Sequence, residues 1–311
     1  MLSRVTGMVF PSGEQYEISA AGYVAVVTES GAALRTLTHH GRALVDGFGE
    51  DEMSGGGRGQ LLMPWPNRIR DGRYSFGGRD LQLALSDPGH GNASHGLARW
   101  AAWTVEEHTG TSVSLTYRVM AQSGYPWTLD LHVLYDLSAD GLVVTQTTTN
   151  LAPEPAPCAS GAHPYLAVGD AIEDLELRLP ARTRVVADDR QLPTGTEPVS
   201  GSHDFTTARR IGDTVLDDGF GALEHEDGRA TTTLVDPATG RGVALWVDER
   251  HRWLQVFSAD EVPGTARRSL AVEPMTAPAD AFRSGDDLVT LAPSGEAGDE
   301  HSASWGIRAL D

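Results

Sequence analysis

Apolar and polar residues alternate along much of this chain with a period of two. Every second residue is apolar from Val113 to Val119, and the same alternation runs from Leu129 to Leu137. Because successive side chains of a β-strand point to opposite faces of the sheet, this pattern predicts strands with one buried face. Shorter stretches at 175–179, 243–247 and 254–256 follow the same rule. The pattern therefore predicts a chain built from many strands.

Short turn signals separate these predicted strands. Gly77-Gly78 stands between the alternations at 74–76 and 81–83, and paired glycines accept the positive φ angles that a tight hairpin requires. Asp140-Gly141 and Asp227-Gly228 are signals of the same kind. With 35 glycines and 17 prolines, many short strands are favoured over long helices. The predicted fold is all-β, a large antiparallel β-sandwich with few short helices.

Domain organisation follows from the length and from what the chain lacks. Sandwiches and barrels often exceed two hundred residues as one unit, so 311 residues are compatible with a single domain. The sequence shows no fixed-period repeat and no linker. The glycine-rich stretch 54–59 is too short to separate domains, and we expect it to form a mobile loop near Arg68. One domain spanning residues 1–311 is predicted.

The charge balance limits the partners. Lys and Arg number 24 against 43 Asp and Glu, and the resulting net charge of −19 opposes binding to nucleic acid or to anionic lipid. A neutral small molecule is the easier substrate. Cys158 is the lone cysteine, so no intrachain disulfide is possible. The first residues lack the features of a secretion signal and no stretch is long enough for a membrane span, so we expect a cytoplasmic protein.

Three short segments carry candidate chemistry. They place Arg68, His163 and Glu273 within turn-rich sequence at widely separated points of the chain. A guanidinium supplies fixed hydrogen-bond donors for a polyol, imidazole acts as acid or base near neutral pH, and a carboxylate can accept a proton from a hydroxyl. Together they suit proton transfer on a sugar.

The two proton-transfer candidates also have plainer interpretations. Pro164 favours an extended backbone at His163, so the imidazole would project from a strand end. A structural histidine beside a turn would fit the same segment. Glu273 directly follows the apolar run 270–272, where a carboxylate needs a partner if it is buried. An exposed glutamate at a strand end is the alternative.

Further polar residues could bind sugar hydroxyls. Arg68 and His95 offer donors, and Asp217 could accept hydrogen bonds from two hydroxyls. Arg68 would also fit a surface loop, and the Asp-Asp-Gly sequence at Asp217 is typical of an ordinary turn. Trp65 and Trp127 are candidate stacking platforms for a sugar ring, although core packing is the commoner role of tryptophan.

The sequence lacks the motifs that are typical of several other reaction classes. It contains no phosphate-binding glycine loop, no His-Glu-x-x-His pattern, no Gly-x-Ser-x-Gly elbow and no dinucleotide-binding fingerprint. The histidines do not follow the spacing of a metal site. We therefore expect no cofactor and no metal.

Taken together and in order, the motifs resemble one known family, the aldose 1-epimerases or galactose mutarotases. The resemblance covers nearly the whole chain. The matching motifs are Pro66-Asn67-Arg68-Ile69, Gly72-Arg73-Tyr74, Ser94-His95-Gly96, Gly124-Tyr125-Pro126, Gly161-Ala162-His163-Pro164-Tyr165, Asp217 three residues before Phe220, Val272-Glu273-Pro274-Met275-Thr276 and Asp280-Ala281-Phe282.

The resemblance implies a galactose mutarotase-like supersandwich that interconverts the α and β anomers of a free aldose without a cofactor. It implies Glu273 as general base, His163 as general acid, and Arg68, His95 and Asp217 as substrate binders. On this interpretation the pair starts with Glu273 ionised and His163 charged, which predicts a bell-shaped pH profile. The expected partner is a small-molecule sugar, and the protein is expected to be a monomer or a homodimer.

Two other functions remain open. A sugar-binding or sensor protein could keep the same fold without turnover, and a glycosidase or lyase could use Glu273 with Asp217 as its two carboxylates. The sequence also departs from the family pattern after His95-Gly96, where a short loop leads directly to Arg99. An additional guanidinium near the cleft could serve an anionic or larger sugar, whereas a surface position is the plainer alternative for Arg99.

Overall fold

Strands dominate the secondary structure of the computed structural model, which describes residues 9–262 and 264–311. The described chain contains one four-residue helix, α1 (Ala281–Ser284), and two 3₁₀ turns, Gly55–Gly57 and Gly201–His203. In chain order the strands are β1 (Gln15–Ala20), β2 (Tyr23–Thr28), β3 (Leu34–His39), β4 (Arg42–Ala43), β5 (Leu61–Leu62), β6 (Arg68–Arg70), β7 (Arg73–Phe76), β8 (Arg79–Gln82), β9 (Asn92–Ser94), β10 (Thr104–His108), β11 (Ser112–Val119), β12 (Leu129–Ser138), β13 (Gly141–Asn150), β14 (Ala156–Cys158), β15 (Gly161–Ala162), β16 (Tyr165–Leu166), β17 (Glu176–Arg178), β18 (Ala181–Ala187), β19 (Pro193–Pro198), β20 (Arg209–Arg210), β21 (Asp217–Leu223), β22 (Arg229–Val235), β23 (Gly242–Asp248), β24 (Trp253–Phe257), β25 (Leu270–Met275), β26 (Val289–Leu291) and β27 (Glu300–Leu310).

Two large antiparallel sheets organise these strands. The first has nine strands in the order β10-β11-β12-β13-β27-β23-β22-β17-β20, and the second has eight in the order β19-β18-β21-β24-β25-β15-β5, with β16 also paired to β25. A four-stranded sheet, β1-β2-β3-β4, and three two-stranded ribbons complete the described topology. The prediction of an all-β antiparallel architecture is confirmed.

The alternation of apolar residues accounts for the core between the sheets. On β12, Leu131, Val133 and Tyr135 are fully buried, and burial of a side chain of this size stabilises the fold by roughly 1.5–3 kcal/mol. A polar link also joins the two sheets. Gln146 on β13 donates Nε2–H to the carbonyl of Gly161 at 3.0 Å and accepts a hydrogen bond from Trp305 Nε1 at 2.9 Å. The core thus fixes the position of the short strand that precedes His163.

Strand β25 is buried on both of its faces. Val272 lies in the sandwich core, so Glu273, the next residue, points to the opposite face of the eight-stranded sheet. On that face, the register places Gln255 of β24 beside Glu273, and Gly219 of β21 beside Gln255. Polar side chains from neighbouring strands are therefore brought together on one outer face of the sheet.

Several local expectations can be checked directly. The Gly77-Gly78 hairpin is confirmed, because β7 and β8 pair around two glycines with φ angles of 57° and 75°. Cys158 is buried, and burial raises the pKa of its thiol to about 12. In the described part of the chain, no helix has the length and apolar character required to span a lipid bilayer.

Candidate active site

His163 lies between the short strands β15 and β16, and backbone hydrogen bonds fix it on both sides. Its N–H donates to the carbonyl of Gln60 at 3.0 Å, and its carbonyl accepts from the N–H of Gly59 at 2.9 Å. The carbonyl of Pro164 accepts a hydrogen bond from Val272 N–H at 3.2 Å, which brings this segment against β25. The histidine ring is therefore held beside the residue that follows Val272.

That residue is Glu273, and it contacts His163 directly. Nε2 of His163 and Oε1 of Glu273 are 3.2 Å apart. His163 is only 6% exposed and Glu273 only 2%, so the alternative of an exposed glutamate at a strand end is wrong. The other carboxylate oxygen, Oε2, is buried and has no hydrogen-bond partner among the described residues. It is a free acceptor beside the histidine.

Burial drives both members of this pair toward their neutral forms. Burial lowers the pKa of His163 to about 3, and the nearby positive charge of Arg58 lowers it further. Burial also raises the pKa of Glu273 well above its ordinary value, and the negative charge of Asp217 adds to this effect. These directions differ from the ion pair expected from the sequence. The neutral pair, with the proton on Glu273, and the ion pair, with the proton on His163, differ only in the position of one proton.

His95 also lies near His163, with the two ring centroids 5.7 Å apart. Asn67 N–H donates to Nδ1 of His95 at 3.2 Å, and the N–H of His95 donates to the Asn67 carbonyl at 2.9 Å. Burial lowers the pKa of His95 well below its ordinary value, so the ring is neutral. Because Nδ1 accepts a hydrogen bond, the ring proton is placed on Nε2, where it can be donated.

The Asn67 and His95 backbones both adopt left-handed conformations. Their φ angles are 53° and 61°. Such angles are uncommon outside glycine, although asparagine and histidine tolerate them better than most residues. Non-glycine residues with this conformation cluster at functional sites, where the surrounding structure maintains the strain. The reciprocal hydrogen bonds between Asn67 and His95 provide that support here.

Arg68 presents a guanidinium that is positioned from two directions. Its Nε donates to Oδ2 of Asp87 at 2.9 Å. The backbone of its strand, β6, is held by Asp280, whose N–H donates to the carbonyl of Arg68 at 2.6 Å and whose Oδ1 accepts from Arg70 N–H at 2.8 Å. Arg68 also lowers the pKa of both His163 and Glu273, so its charge acts within the site.

Asp217 begins strand β21, so its assignment to an ordinary turn is wrong. Gln255 Nε2 donates to Oδ1 of Asp217 at 2.8 Å, and Gln255 Oε1 accepts from Asn67 Nδ2 at 3.3 Å. Burial raises the pKa of Asp217, with opposing contributions from Arg68 and from the hydrogen bond of Gln255. A network of polar side chains thus connects Asp217 to Asn67 and, through Asn67, to His95.

A groove runs beside this network. Its lining includes Asn67, Asp217, Gln255 and Trp253. Trp253 is therefore the aromatic residue available at this surface. Trp65 and Trp127, the two platforms considered from the sequence, are buried in the core.

The glycine-rich stretch packs closely against the general-acid candidate. A Cβ atom at Gly57 would lie 2.9 Å from Cδ2 of His163. The ring is also stacked on Tyr165, with ring centroids 5.0 Å apart and an interplanar angle of 11°. The Tyr165 hydroxyl donates to the carbonyl of Gly56 at 2.8 Å. The plane of the His163 ring is therefore fixed by packing.

The structure brings Arg68, His95, His163, Asp217 and Glu273 into one neighbourhood. Sequence reasoning did not identify the positioning residues Asn67, Asp87 and Gln255. A signal existed for Gln255, which is the polar residue in the middle of the otherwise apolar strand β24 (Trp253–Phe257). The other two could be recognised only from contacts between distant segments.

The arrangement places a proton donor beside a proton acceptor. A buried histidine and carboxylate are surrounded by neutral and charged donors on one face of a β-sandwich. The family model described as "Aldose 1-epimerase" matches residues 14–303 of the sequence. The chain belongs to the aldose 1-epimerase family.

Known relatives and solved structures agree with this membership. The protein YihR of Escherichia coli (strain K12), described as uncharacterized, is 34% identical over 299 residues, which cover 95% of this chain and 93% of YihR. The GalM/aldose epimerase homologue from C. elegans has a TM-score of 0.83 at 20% identity, covering 96% of this chain and 99% of its own. Galactose 1-epimerase from Lactobacillus acidophilus NCFM has a TM-score of 0.77 at 21% identity, with coverages of 94% and 92%. At these identities the structural matches establish a shared fold.

Proposed function

We propose that this protein is an aldose 1-epimerase that interconverts the α and β anomers of a free aldose. The observation that carries the proposal is the 3.2 Å contact between His163 Nε2 and Glu273 Oε1, both buried on the polar face of the sheet. A proton donor and a proton acceptor are thereby placed side by side, and no other group is needed for the reaction.

The reaction consists of two paired proton transfers. Glu273, as the carboxylate, takes the proton from the anomeric hydroxyl while protonated His163 donates a proton to the ring oxygen. The C1–O5 bond breaks and C1 becomes an aldehyde carbon. Rotation about the C1–C2 bond presents the other face of the aldehyde, and the reverse transfers close the ring. Both protons return to their starting groups, so the enzyme is regenerated.

The close spacing of the pair suits this substrate. O1 and O5 of a cyclic aldose are bonded to the same carbon atom, so one acid and one base must act at neighbouring positions. His163 and Glu273 satisfy that requirement, and Oε2 of Glu273 is a free acceptor for the anomeric hydroxyl. His95 Nε2–H, Arg68 and Asp217 supply a neutral donor, a cationic donor and an acceptor for the remaining hydroxyls.

His163 and Glu273 share one proton, and its position determines whether the pair is in the neutral resting state or in the charged state that the reaction requires. Transfer of one proton from Glu273 to His163 across their hydrogen bond produces the carboxylate and the imidazolium without exchange with solvent. The fixed donors of Arg68 and His95 then stabilise the charged form in place of water. The site therefore starts neutral and becomes charged when the sugar is in place.

Polarimetry tests the proposal directly. Purified protein added to freshly dissolved α-glucose or α-galactose should accelerate the approach to the equilibrium rotation beyond the spontaneous rate. A sensor would bind sugar without this acceleration, and a glycosidase would instead release reducing ends from an oligosaccharide. Absence of acceleration with every aldose tested, in a protein shown to be folded, would contradict the proposal.

A further inference from the structure

Arg99 differs from the other arginines near the site in its pairing. Arg58 pairs with Asp46 at 3.3 Å, and Arg68 pairs with Asp87 at 2.9 Å. Within the described part of the chain, the guanidinium of Arg99 has no carboxylate or hydrogen-bond partner, and it lies 5.7 Å from the ring centroid of its neighbour Trp100. Arg99 thus retains its five donors for another molecule.

The backbone of Arg99 is tied to the catalytic segment through one buried residue. Gln60 donates Nε2–H to the carbonyl of Arg99 at 3.0 Å, and its own carbonyl accepts the N–H of His163 at 3.0 Å. The preceding residue, Ala98, also donates its N–H to the Met63 carbonyl. The Arg99 backbone is therefore held at a defined place beside the site, and its side chain is partly exposed.

The Arg99 side chain is half-buried, and its charge acts within the site. Burial is the main cause of the lowered pKa values of His95 and His163, and the positive charge of Arg99 lowers both further. At Glu273 the leading charge is instead the negative one of Asp217. Contacts place these charges. Gln60 ties the Arg99 backbone to the His163 segment, whereas Gln255, which pairs in register with Glu273, donates to Asp217. Arg99 therefore lies at the histidine end of the site and Asp217 at the glutamate end.

This polarity orients a bound sugar. In the proposed reaction, His163 donates its proton to the ring oxygen O5. The two carbons bonded to O5 are C1, which lies toward Glu273, and C5, which must then lie on the side of the histidines. In a hexose, the exocyclic carbon C6 extends from C5. A group on C6 is consequently directed toward the end of the site where Arg99 lies.

We propose that Arg99 binds an oxyanion on C6 of the substrate, so that the preferred aldose is an acidic sugar. This inference rests on the proposed epimerase function and adds a substrate class to it. A carboxylate, sulfonate or phosphate offers the oxygen geometry that a guanidinium fork binds through charge-assisted hydrogen bonds. An oxyanion would also contact this half-buried cation directly, whereas Asp87, the carboxylate whose charge raises the pKa of Arg99, is already paired with Arg68.

The overall charge strengthens the argument for a dedicated cation. With a net charge of −19, the protein repels anions at long range, so an anionic substrate requires a local positive group. Arg58 and Arg68 already have carboxylate partners in Asp46, which also pairs with Arg268, and Asp87. Arg99 is the cation at this end of the site that remains available among the described residues.

The test compares glucose with its 6-carboxylate, 6-sulfonate and 6-phosphate analogues. Anomer interconversion is followed by polarimetry or NMR, the spontaneous rate of each sugar is subtracted, and kcat/KM is obtained for wild type, Arg99→Gln and Arg229→Gln. The control, Arg229, also lies over a tryptophan, with its guanidinium 4.0 Å from the Trp246 ring centroid, but it belongs to the nine-stranded sheet. Both variants remove one positive charge.

For wild type, kcat/KM for at least one acidic analogue should exceed that for glucose. In Arg99→Gln the ratio of the acidic analogue to glucose should fall by about tenfold or more, the scale of one hydrogen bond to a charged group, whereas Arg229→Gln should keep the wild-type ratio. A wild-type enzyme that accelerates glucose and rejects all three acidic analogues would overturn the assignment of Arg99 and leave the epimerase function intact. If Arg99→Gln kept the wild-type ratio of kcat/KM between the acidic analogue and glucose, the assignment of Arg99 would likewise be overturned and the epimerase function would remain. Failure to accelerate any sugar would overturn both proposals.

Discussion

Nε2 of His163 and Oε1 of Glu273 lie 3.2 Å apart inside the protein, a distance at which two groups share one proton. The proton can reside on the carboxyl oxygen, which leaves a neutral pair, or on the imidazole, which creates an ion pair. Both arrangements contain the same number of protons. The titration of the site therefore belongs to the pair and to neither residue alone.

The pH dependence of the reaction should reflect this shared proton. A second proton must be added at low pH to inactivate the pair, and burial lowers the pKa of His163 to about 3. The single proton must be lost at high pH, and burial raises the pKa of Glu273 well above its ordinary value. Activity should thus decrease only as the pH falls far below 6.5 and as it rises through the raised pKa of Glu273.

The measurement is a profile of kcat/KM against pH with glucose as substrate, since glucose itself does not titrate across the acid limb. We expect a broad bell with no inflection at the ordinary histidine pKa near 6.5. A loss of activity with a midpoint close to 6.5 on the acid side would contradict the buried neutral pair. Melting curves across the same pH range separate loss of activity from unfolding.

Substitution of either member of the pair should remove most of the turnover. We expect His163→Asn and Glu273→Gln each to lower kcat by about 10² or more, because each loses one positioned proton transfer. Glu273→Gln preserves the size of the side chain, and His163→Asn retains a hydrogen-bonding group, so melting curves of both variants should remain cooperative and show that each is folded. Polarimetry under saturating sugar provides the measurement.

An exposed pair of the same type supplies the control. Nε2 of His132 and Oε2 of Glu106 are 3.3 Å apart on the nine-stranded sheet, with side chains 36% and 60% exposed. His132→Asn and Glu106→Gln should leave kcat within twofold of wild type, since exposed pairs contribute little to stability. Equal losses at both pairs would indicate a general effect of histidine–glutamate pairs on the fold rather than catalysis.

Gly57 should control the orientation of the His163 ring. An alanine there would place its Cβ 2.9 Å from Cδ2 of His163, at a residue whose φ is +78°. We expect Gly57→Ala to lower kcat by roughly tenfold to a hundredfold, since small displacements of a catalytic group have effects of this size. Gly55 lies two residues earlier, and a Cβ there would meet no atom within 4 Å. Gly55→Ala should therefore retain full activity, and a large loss in that variant would show that the whole turn is sensitive.

Arg68→Ala should act mainly on sugar binding. The guanidinium can donate to hydroxyls but does not exchange protons at neutral pH, so we expect KM to rise by about tenfold or more while kcat changes less. Arg118, which pairs with Asp130 at 2.6 Å on the nine-stranded sheet, provides a matched arginine–aspartate pair for the control variant Arg118→Ala. An unchanged KM in Arg68→Ala would remove Arg68 from the site.

The strands of the fold can be predicted from the sequence because the alternation of apolar and polar residues is a local signal. Alternation over 113–119 and 129–137 predicts β11 and β12 closely, and Gly77-Gly78 specifies its own hairpin. At Asp217 the Asp-Asp-Gly sequence is compatible with either a turn or a strand. Its pairing with β24 places it within a strand. Tertiary pairing decided between two local possibilities.

Only some residues of the candidate site can be predicted from the sequence, because the others depend on contacts between distant segments. His163 and Glu273 stand out because their residue types are unusual in apolar surroundings. Gln255 lies beside Glu273 because of the order of the strands in the sheet. Gly57 lies beside His163 because a loop packs against a residue more than a hundred positions later in the chain. Short-range periodicity does not contain this information, because the register of distant strands is set by burial of a common face.

The hydrogen bonds of Asp280 have a consequence for the growing polypeptide. They fix the strand of Arg68 through a residue more than two hundred positions later in the chain. Strand β27, still later, closes the nine-stranded sheet between β13 and β23. A nascent chain that has emerged only as far as His163 lacks both Glu273 and the anchor for the arginine, so the proposed chemistry can begin only after the segment that contains Asp280 has been synthesised.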